Sequence, residues 1–255
     1  MSDLFWLSVA QMRRIEPFFP LSHGVPRVDD RKVVSGIVFV IRNGLRWRDA
    51  PTAYGPHKTL YNRFVRWSRM GVFDRIFAGL AAQGGKPDEV MIDATHLKAH
   101  RTAASLFKRG VLPRCIGRTK GGLNSKLHAV CDQIGQPIIM LLTEGQVSDY
   151  KGASTILPAL PTSARTLIGD KGYDGDALRA AITARGIEPC IPPRKGRNEP
   201  ASYCKHTYRR RNLVERMFGR LKDWRRIATR YDRCAHTFFS AICIAATVIW
   251  WINES

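Results

Sequence analysis

Three carboxylates stand where acidic side chains are costly or scarce. Asp93 interrupts the β-rich run EVMIDATHLKA (residues 89–99), and a charge inside a strand has to meet a metal, a partner or water. Asp170 ends the short run TLIGD (166–170), at the carboxyl edge where open α/β sheets place their ligands. Glu215 is the single acid among six arginines and lysines in YRRRNLVERMFGRLK (208–222). Each has an ordinary explanation alone: an aspartate before a turn is commonly a cap, and Glu215 lies at helix salt-bridge spacing from Arg211. If the three converge, they form a set of hard oxygen ligands suited to Mg²⁺ or Mn²⁺ held jointly with phosphate oxygens. Two such ions would activate a nucleophile and stabilise the leaving oxygen of an in-line displacement at phosphorus.

Helical geometry separates the two faces of the Glu215 segment. At about 100° per residue, Tyr208, Arg211, Glu215 and Lys222 share one stripe about 60° wide, while Leu213, Val214, Met217, Leu221 and Trp224 lie opposite. The apolar side is a packing face. A salt bridge accounts for Arg211 with Glu215, but not for Tyr208 and Lys222 on the same stripe.

The rest of the chain has to position these groups. Its 255 residues, 44% apolar, suffice for one large or two smaller globular domains. A formal charge of +20 and a pI near 10.3 call for a polyanionic partner, most economically nucleic acid, though membrane surfaces and ribosomes attract the same sign. The six cysteines are scattered without zinc-ligand spacing, as expected of reduced thiols in a cytoplasmic protein. The N-terminus has no basic segment followed by an apolar core, so no signal peptide is expected. FFSAICIAATVIWW (238–251) is too short to span a bilayer comfortably and reads as a buried helix that covers the sheet or contacts a second copy.

Residues 1–84 read as a small all-helical domain. Ser8 caps a first helix, Asp29 and Asp30 a second that ends at Gly44, and HKTLYNRFVRWSRMG interleaves basic and aromatic residues in a third. That pattern fits a helix-turn-helix DNA reader or a plain bundle with a solvated basic face. Gly84, Gly85 and Pro87 mark a boundary. Residues 88–255 then read as an α/β domain with five strands at 89–99, 126–132, 137–145, 166–170 and 187–192. A hairpin comes first and parallel crossovers follow, giving a mixed sheet with flanking helices. Asp174 is expected to cap the helix GDALRAAITAR.

Tyr208, Arg211, Glu215 and Lys222 reproduce in full a signature of tyrosine, two residues, arginine, three residues, glutamate, six residues and lysine. With MIDATHLKAHR, GRTKGGLNSKLHAVCD and LIGDKGYDG in the same order, the chain resembles the DDE transposases of bacterial insertion sequences, specifically the insertion-sequence-five family within the insertion-sequence-four-like group. The resemblance covers nearly the whole chain. It implies a ribonuclease H-like fold, Asp93, Asp170 and Glu215 as the catalytic and metal-binding triad, and Mg²⁺ or Mn²⁺, two ions, as cofactor. It further implies binding of double-stranded DNA at terminal inverted repeats, cleavage at the transposon ends and transfer of the 3′-hydroxyls into target DNA, by a homodimer on DNA in the bacterial cytoplasm with no membrane partner. Arg211 and Lys222 would then contact phosphates, and Tyr208 a displaced nucleotide. Arg118, Lys120 and Lys126 read as a basic glycine-rich loop that follows a DNA backbone or is simply solvated. His96 and Asp149 read as structural.

Two other functions compete: a DNA-binding protein without catalysis, and a ribonuclease H-like nuclease or resolvase that stops after hydrolysis. Three retained acids favour catalysis, because a pure binder gains from losing negative charge near phosphate.

Overall fold

The computed structural model describes residues 3–21, 28–105, 114–197 and 199–252. In chain order these form α1 (Val9–Ile15), α2 (Asp30–Asn43), α3 (His57–Arg69), α4 (Val72–Ala81), β1 (Glu89–Ala99), α5 (Arg101–Ala104), β2 (Gly117–Thr119), β3 (Gly122–Asp132) and β4 (Pro137–Glu144). They continue through α6 (Asp149–Ile156), β5 (Thr166–Ile168), α7 (Asp176–Thr183), β6 (Glu188–Cys190), α8 (Lys205–Tyr208), α9 (Asn212–Lys222), α10 (Arg225–Ala228), β7 (Thr229–Arg230) and α11 (Ala235–Ala246). Two short strands, β2 and β7, add to the five read from the sequence.

The chain forms two compact units. A helical unit comprises Met1–Gln83, Ala99–Arg114 and Leu221–Ser255, and a sheet unit comprises Gly84–Lys98 and Cys115–Arg220. The turn after Gln83 is thus a boundary, yet the chain crosses back twice. The C-terminal segment, assigned from sequence to the sheet domain, joins the helical unit. The reason lies in its apolar surface: α11 is buried on nearly every side and packs on α4, α3 and α2, where Phe64, Trp67 and Phe73 supply the complementary core.

In the helical unit, local signals set the helix ends. Ser8 and Gln11 form a reciprocal capping box at α1, Asp29 accepts from Arg31 N–H at α2, and Gly44 ends α2 at φ 72°, a conformation glycine adopts without a Cβ penalty. The middle of α2 is tight. A methyl on Gly36 would stand 2.7 Å from Tyr54 Cβ and 3.0 Å from a Leu60 methyl.

In the sheet unit, β2 and β4 both pair with β3, which pairs with β1, then β5 and β6. The β1, β3 and β4 pairings are antiparallel, and β1–β5 and β5–β6 are parallel. GRTKGGLNSK, read as a loop, is a β2–β3 hairpin instead. One sheet face is sealed by α6 and α7: Val90, Ile92 and Val130 form a core with Ala153, Ile156, Leu178 and Ile182. Asp93 and its partner Ala129 project from the other face, by strand alternation. Asp174 does not cap α7, whose N-cap is Gly175. Its buried carboxylate accepts from Arg179 at 2.7 Å, Arg197 at 2.9 Å and the Arg194 N–H at 2.7 Å, which fastens the loop after β6.

Gly36→Ala tests the packing of α2. Alanine favours a helix over glycine by about 1 kcal/mol, but the collision is expected to dominate and cost about 1–3 kcal/mol net. Urea denaturation monitored by circular dichroism reads this directly; a stabilised variant contradicts the tight contact.

Candidate active site

Asp93 and Asp170 meet through strand register. Met91 pairs with Ile168 across the parallel β1–β5 interface, which brings Asp93, two residues on along β1, and Asp170, two residues past the end of β5, within electrostatic reach of each other. Asp170 is then fixed by its own backbone: it caps the turn Lys171–Tyr173, with Oδ1 accepting from Gly172 N–H at 2.7 Å. Glycine at 172 is a steric requirement, because a methyl there would lie 2.7 Å from that oxygen and 3.6 Å from Asp149 Oδ2.

Glu215 arrives on α9. The approach to this helix is not one continuous α-helix, since α8 passes into a 3₁₀ turn at Arg209–Arg211 before α9 begins. Tyr208 and Glu215 are therefore joined through a tighter turn, and a uniform helical wheel describes them only roughly. The packing face follows most of the expected pattern, with Val214, Met217, Leu221 and Trp224 buried and Phe218 added, while Leu213 is only partly buried. Arg210 anchors the N-terminal end by an ion pair with Glu89 on β1 and a 3.0 Å hydrogen bond to the Gln133 carbonyl.

Arg211 links the acids. One guanidinium nitrogen donates to Asp93 Oδ2 at 2.8 Å and another to Glu215 Oε1 at 2.6 Å. Asp93 is 16% exposed and Glu215 57%, so the bridge runs from a sheltered carboxylate to one open to solvent. Burial raises the Asp93 pKa, Arg211 and the Ala94 N–H oppose that, and Asp170 and Asp149 add to it. Arg211 itself is held protonated: burial lowers its pKa, but Asp93, Tyr208, Glu215 and Asp170 raise it further. All four of these side chains thus lie within electrostatic reach of one guanidinium, whose Nε is buried without a hydrogen-bond partner.

Among the described residues no three acidic, histidine or cysteine side chains already stand in metal-ligand array. The cation between Asp93 and Glu215 is the guanidinium. The donor set nonetheless suits a hard divalent cation, because it is made of carboxylate oxygens and contains no sulfur.

Two residues near this site escaped the sequence reading. Asp149, taken as structural, opens α6 and turns Oδ2 toward Gly172 beside Asp170, while Oδ1 lies 3.0 Å from Lys126 Nζ. Tyr173 is 1% exposed, and its hydroxyl has no hydrogen-bond partner although it feels Asp149, Asp93 and Asp170. An aspartate at a helix start looks like a cap from sequence alone, so only the packing of α6 could have revealed it.

The other expected contacts fare differently. Lys126 is not on the glycine-rich turn; it sits within β3 at 8% exposure, turned by strand alternation toward α6 and Asp149. Arg118 and Lys120 do lie exposed at the β2–β3 hairpin. Tyr208 packs edge-on to Tyr203 with ring centroids 5.5 Å apart, and its pKa is raised by burial despite Arg211. Lys222 ends α9 with its pKa lowered by burial. His96 is structural, its Nε2 3.0 Å from the Gly145 carbonyl.

A mixed sheet that starts with antiparallel strands, adds parallel ones and carries acids on β1, after β5 and on a later helix is the ribonuclease H-like catalytic fold. Residues 84–251 match the family model described as "Transposase DDE domain", and residues 7–77 match "Putative transposase of IS4/5 family". The chain belongs to the DDE transposases of insertion sequences, metal-dependent enzymes that cleave DNA. It is 31% identical to "Putative transposase for insertion sequence element IS402" of Burkholderia cepacia, over 71% of this chain and 86% of that protein. It is 33% identical to the corresponding protein of element IS6501 from Brucella ovis, over 50% of this chain and 98% of that one. The fold resembles piggyBac transposase, solved as a synaptic complex with hairpin DNA, with a TM-score of 0.53 at 9% identity, covering 94% of this chain and 69% of that chain.

Two predictions follow from the electrostatics. Arg211→Met removes the main influence lowering the Asp93 pKa, so the Asp93 midpoint, read from its carboxyl ¹³C shift against pH, is expected to rise; an unchanged or lower midpoint contradicts the bridge. On the α6 side, burial and then Lys126 push the His128 pKa down to about 4, with Nε2 2.9 Å from Thr143 Oγ1. His128 therefore stays neutral in the folded state while the unfolded chain protonates near 6.5. Its stabilising contribution is full above pH 6.5 and is lost as pH falls toward 4, by about 2–3 kcal/mol. His128→Gln is expected to flatten the stability-versus-pH curve between pH 7 and 4.5, as measured by urea titration.

Proposed function

We propose that this protein binds the terminal inverted repeats of its element, cleaves at the transposon ends and transfers the freed 3′-hydroxyls into target DNA. The observation that carries this reading is the single guanidinium joining Asp93 to Glu215, beside Asp170: one cation gathers the acids that would hold metal and offsets part of their charge. Asp93, Asp170 and Glu215 would bind two Mg²⁺ or Mn²⁺ ions, whose chemistry is activation of the attacking oxygen and stabilisation of the leaving one.

The chain's own residues have separate tasks. Asp93 provides a sheltered carboxylate at fixed height on β1. Asp170 is oriented by the Gly172 N–H, which bonds only its Oδ1. Glu215 rides on α9, and Arg211, which here holds Asp93 and Glu215, would be free to pair with a DNA phosphate if a metal replaced it between the two acids. A guanidinium pairs with phosphate as readily as with carboxylate, so this exchange conserves its contacts. Tyr208, Lys222, Arg118 and Lys120 would hold the DNA backbone and a displaced nucleotide. Residues 1–84, with exposed cations along α3, would read the ends in the manner of a helix-turn-helix, and two copies of the chain would pair two ends. The enzyme would act in the bacterial cytoplasm.

The test is a cleavage and strand-transfer assay on DNA carrying the terminal repeats. Wild type with Mg²⁺ is expected to nick and join. Glu215→Gln is expected to bind the same DNA but react at least roughly a hundredfold more slowly, a loss of about 3 kcal/mol or more in transition-state stabilisation. Binding without nicking by the wild type, across Mg²⁺ and Mn²⁺, would refute the catalytic reading.

A further inference from the structure

The helical unit contains a pocket of about 340 Å³ formed by the loop after α2, by α3 and by the chain from α10 to the start of α11. That volume falls in the range of clefts that take small organic groups, about 300–1,000 Å³. Its lining includes the rings of Trp47, Tyr61 and Tyr231 and the guanidinium groups of Arg69, Arg226 and Arg233. Trp47 and Tyr61 lean together with centroids 5.7 Å apart. Arg226 lies 5.4 Å from the Trp47 ring and 5.9 Å from the Tyr231 ring.

Arg226 is the structural member of this group. It is 8% exposed in its side chain, pairs with Asp232 at 3.2 Å and donates to the Leu45 carbonyl at 2.9 Å, so it fastens the loop after α2 to the start of the C-terminal segment. The other members have partners of their own but keep exposed surface: Tyr231 packs on His100 with ring centroids 4.8 Å apart, and Arg233 donates through Nε to the Thr102 carbonyl at 3.1 Å. Tyr61 is 45% exposed and Tyr231 40%. Arg69 and Arg233 are exposed as well, and the only carboxylate in the lining, Asp232, is held by Arg226. The pocket therefore offers π-faces inside a positive rim.

We propose that this pocket receives an unpaired nucleobase of bound DNA, stacked on Tyr61 or Tyr231 with its phosphate against Arg69 and Arg233; the inference rests on the DNA-binding reading above. An intact duplex presents phosphates and groove edges and keeps its bases stacked on each other, so a concave aromatic pocket fits a base already out of the helix. Cations at the rim match the phosphate that such a base carries. The π-faces stack any base, so the site is indifferent to sequence.

The full-length protein is titrated by fluorescence anisotropy with three labelled DNAs: a blunt duplex, the same duplex with a single-stranded adenine overhang, and that overhang with abasic sugars. Tyr61→Ala and Tyr231→Ala are each expected to weaken overhang binding about tenfold, since base–aromatic stacking is worth roughly 1–3 kcal/mol. The same variants are expected to leave the blunt and abasic probes within about twofold, and Tyr61→Phe to keep wild-type affinity for the overhang. Equal weakening on all three probes, or no weakening on the overhang, overturns the proposal while leaving duplex binding intact. Competition by free dAMP at micromolar concentration also overturns it, in favour of a mononucleotide site. Failure of the wild type to bind any of the three overturns the DNA-binding reading and the pocket with it.

Discussion

The arrangement of Asp93, Asp170 and Glu215 depends on one cation. Asp93 projects from the middle strand of the sheet at 16% side-chain exposure, beside Asp170 and within the field of Asp149. Negative charges gathered in a partly dry site repel one another and favour protonation. Arg211 offsets part of this by donating to Asp93 and Glu215 at once, while Asp170 and Asp149 still press on Asp93. The remaining scaffold supports that bridge: the β1–β5 register brings Asp93 and Asp170 within reach of each other, Gly172 makes room for the Asp170 carboxylate, and Arg210 fastens the start of α9 to Glu89 on β1.

The same logic explains why this segment of the chain is so basic. A purely acidic site would repel DNA, whose backbone carries a charge at every phosphate. Arg211 offsets part of that charge by pairing with two of the acids at once. The tyrosine, arginine, glutamate and lysine signature then has a physical reading in its central pair: Arg211 and Glu215 are bonded partners four residues apart, and the arginine is shared with Asp93.

Much of this was legible in the residues. Three acids in unusual settings, a +20 chain, strand-like runs in the first half of the second domain and a full spacing signature were enough to reach a ribonuclease H-like transposase. Short-range rules also set the ends of α1 and α2, because caps and a left-handed glycine act within a few residues. Other readings failed where long-range partners intervened. Lys126 looked like part of a basic loop until β3 proved to start at Gly122 and bury it against Asp149. Asp174 looked like a cap, but three partners from Arg179 to Arg197 hold it instead.

By itself the sequence determined the class of chemistry, the acids Asp93, Asp170 and Glu215 as its candidates, and the sign of the partner, since these depend on residue type and spacing. Only the tertiary structure decided that Arg211 rather than bare proximity ties Asp93 to Glu215, that Asp149 and the Tyr173 hydroxyl stand beside them, and that the C-terminal helix belongs to the helical unit. Those outcomes arise from strand register and from which apolar faces find each other across more than a hundred residues of chain. Local propensity carries no record of such pairings; the packed core does.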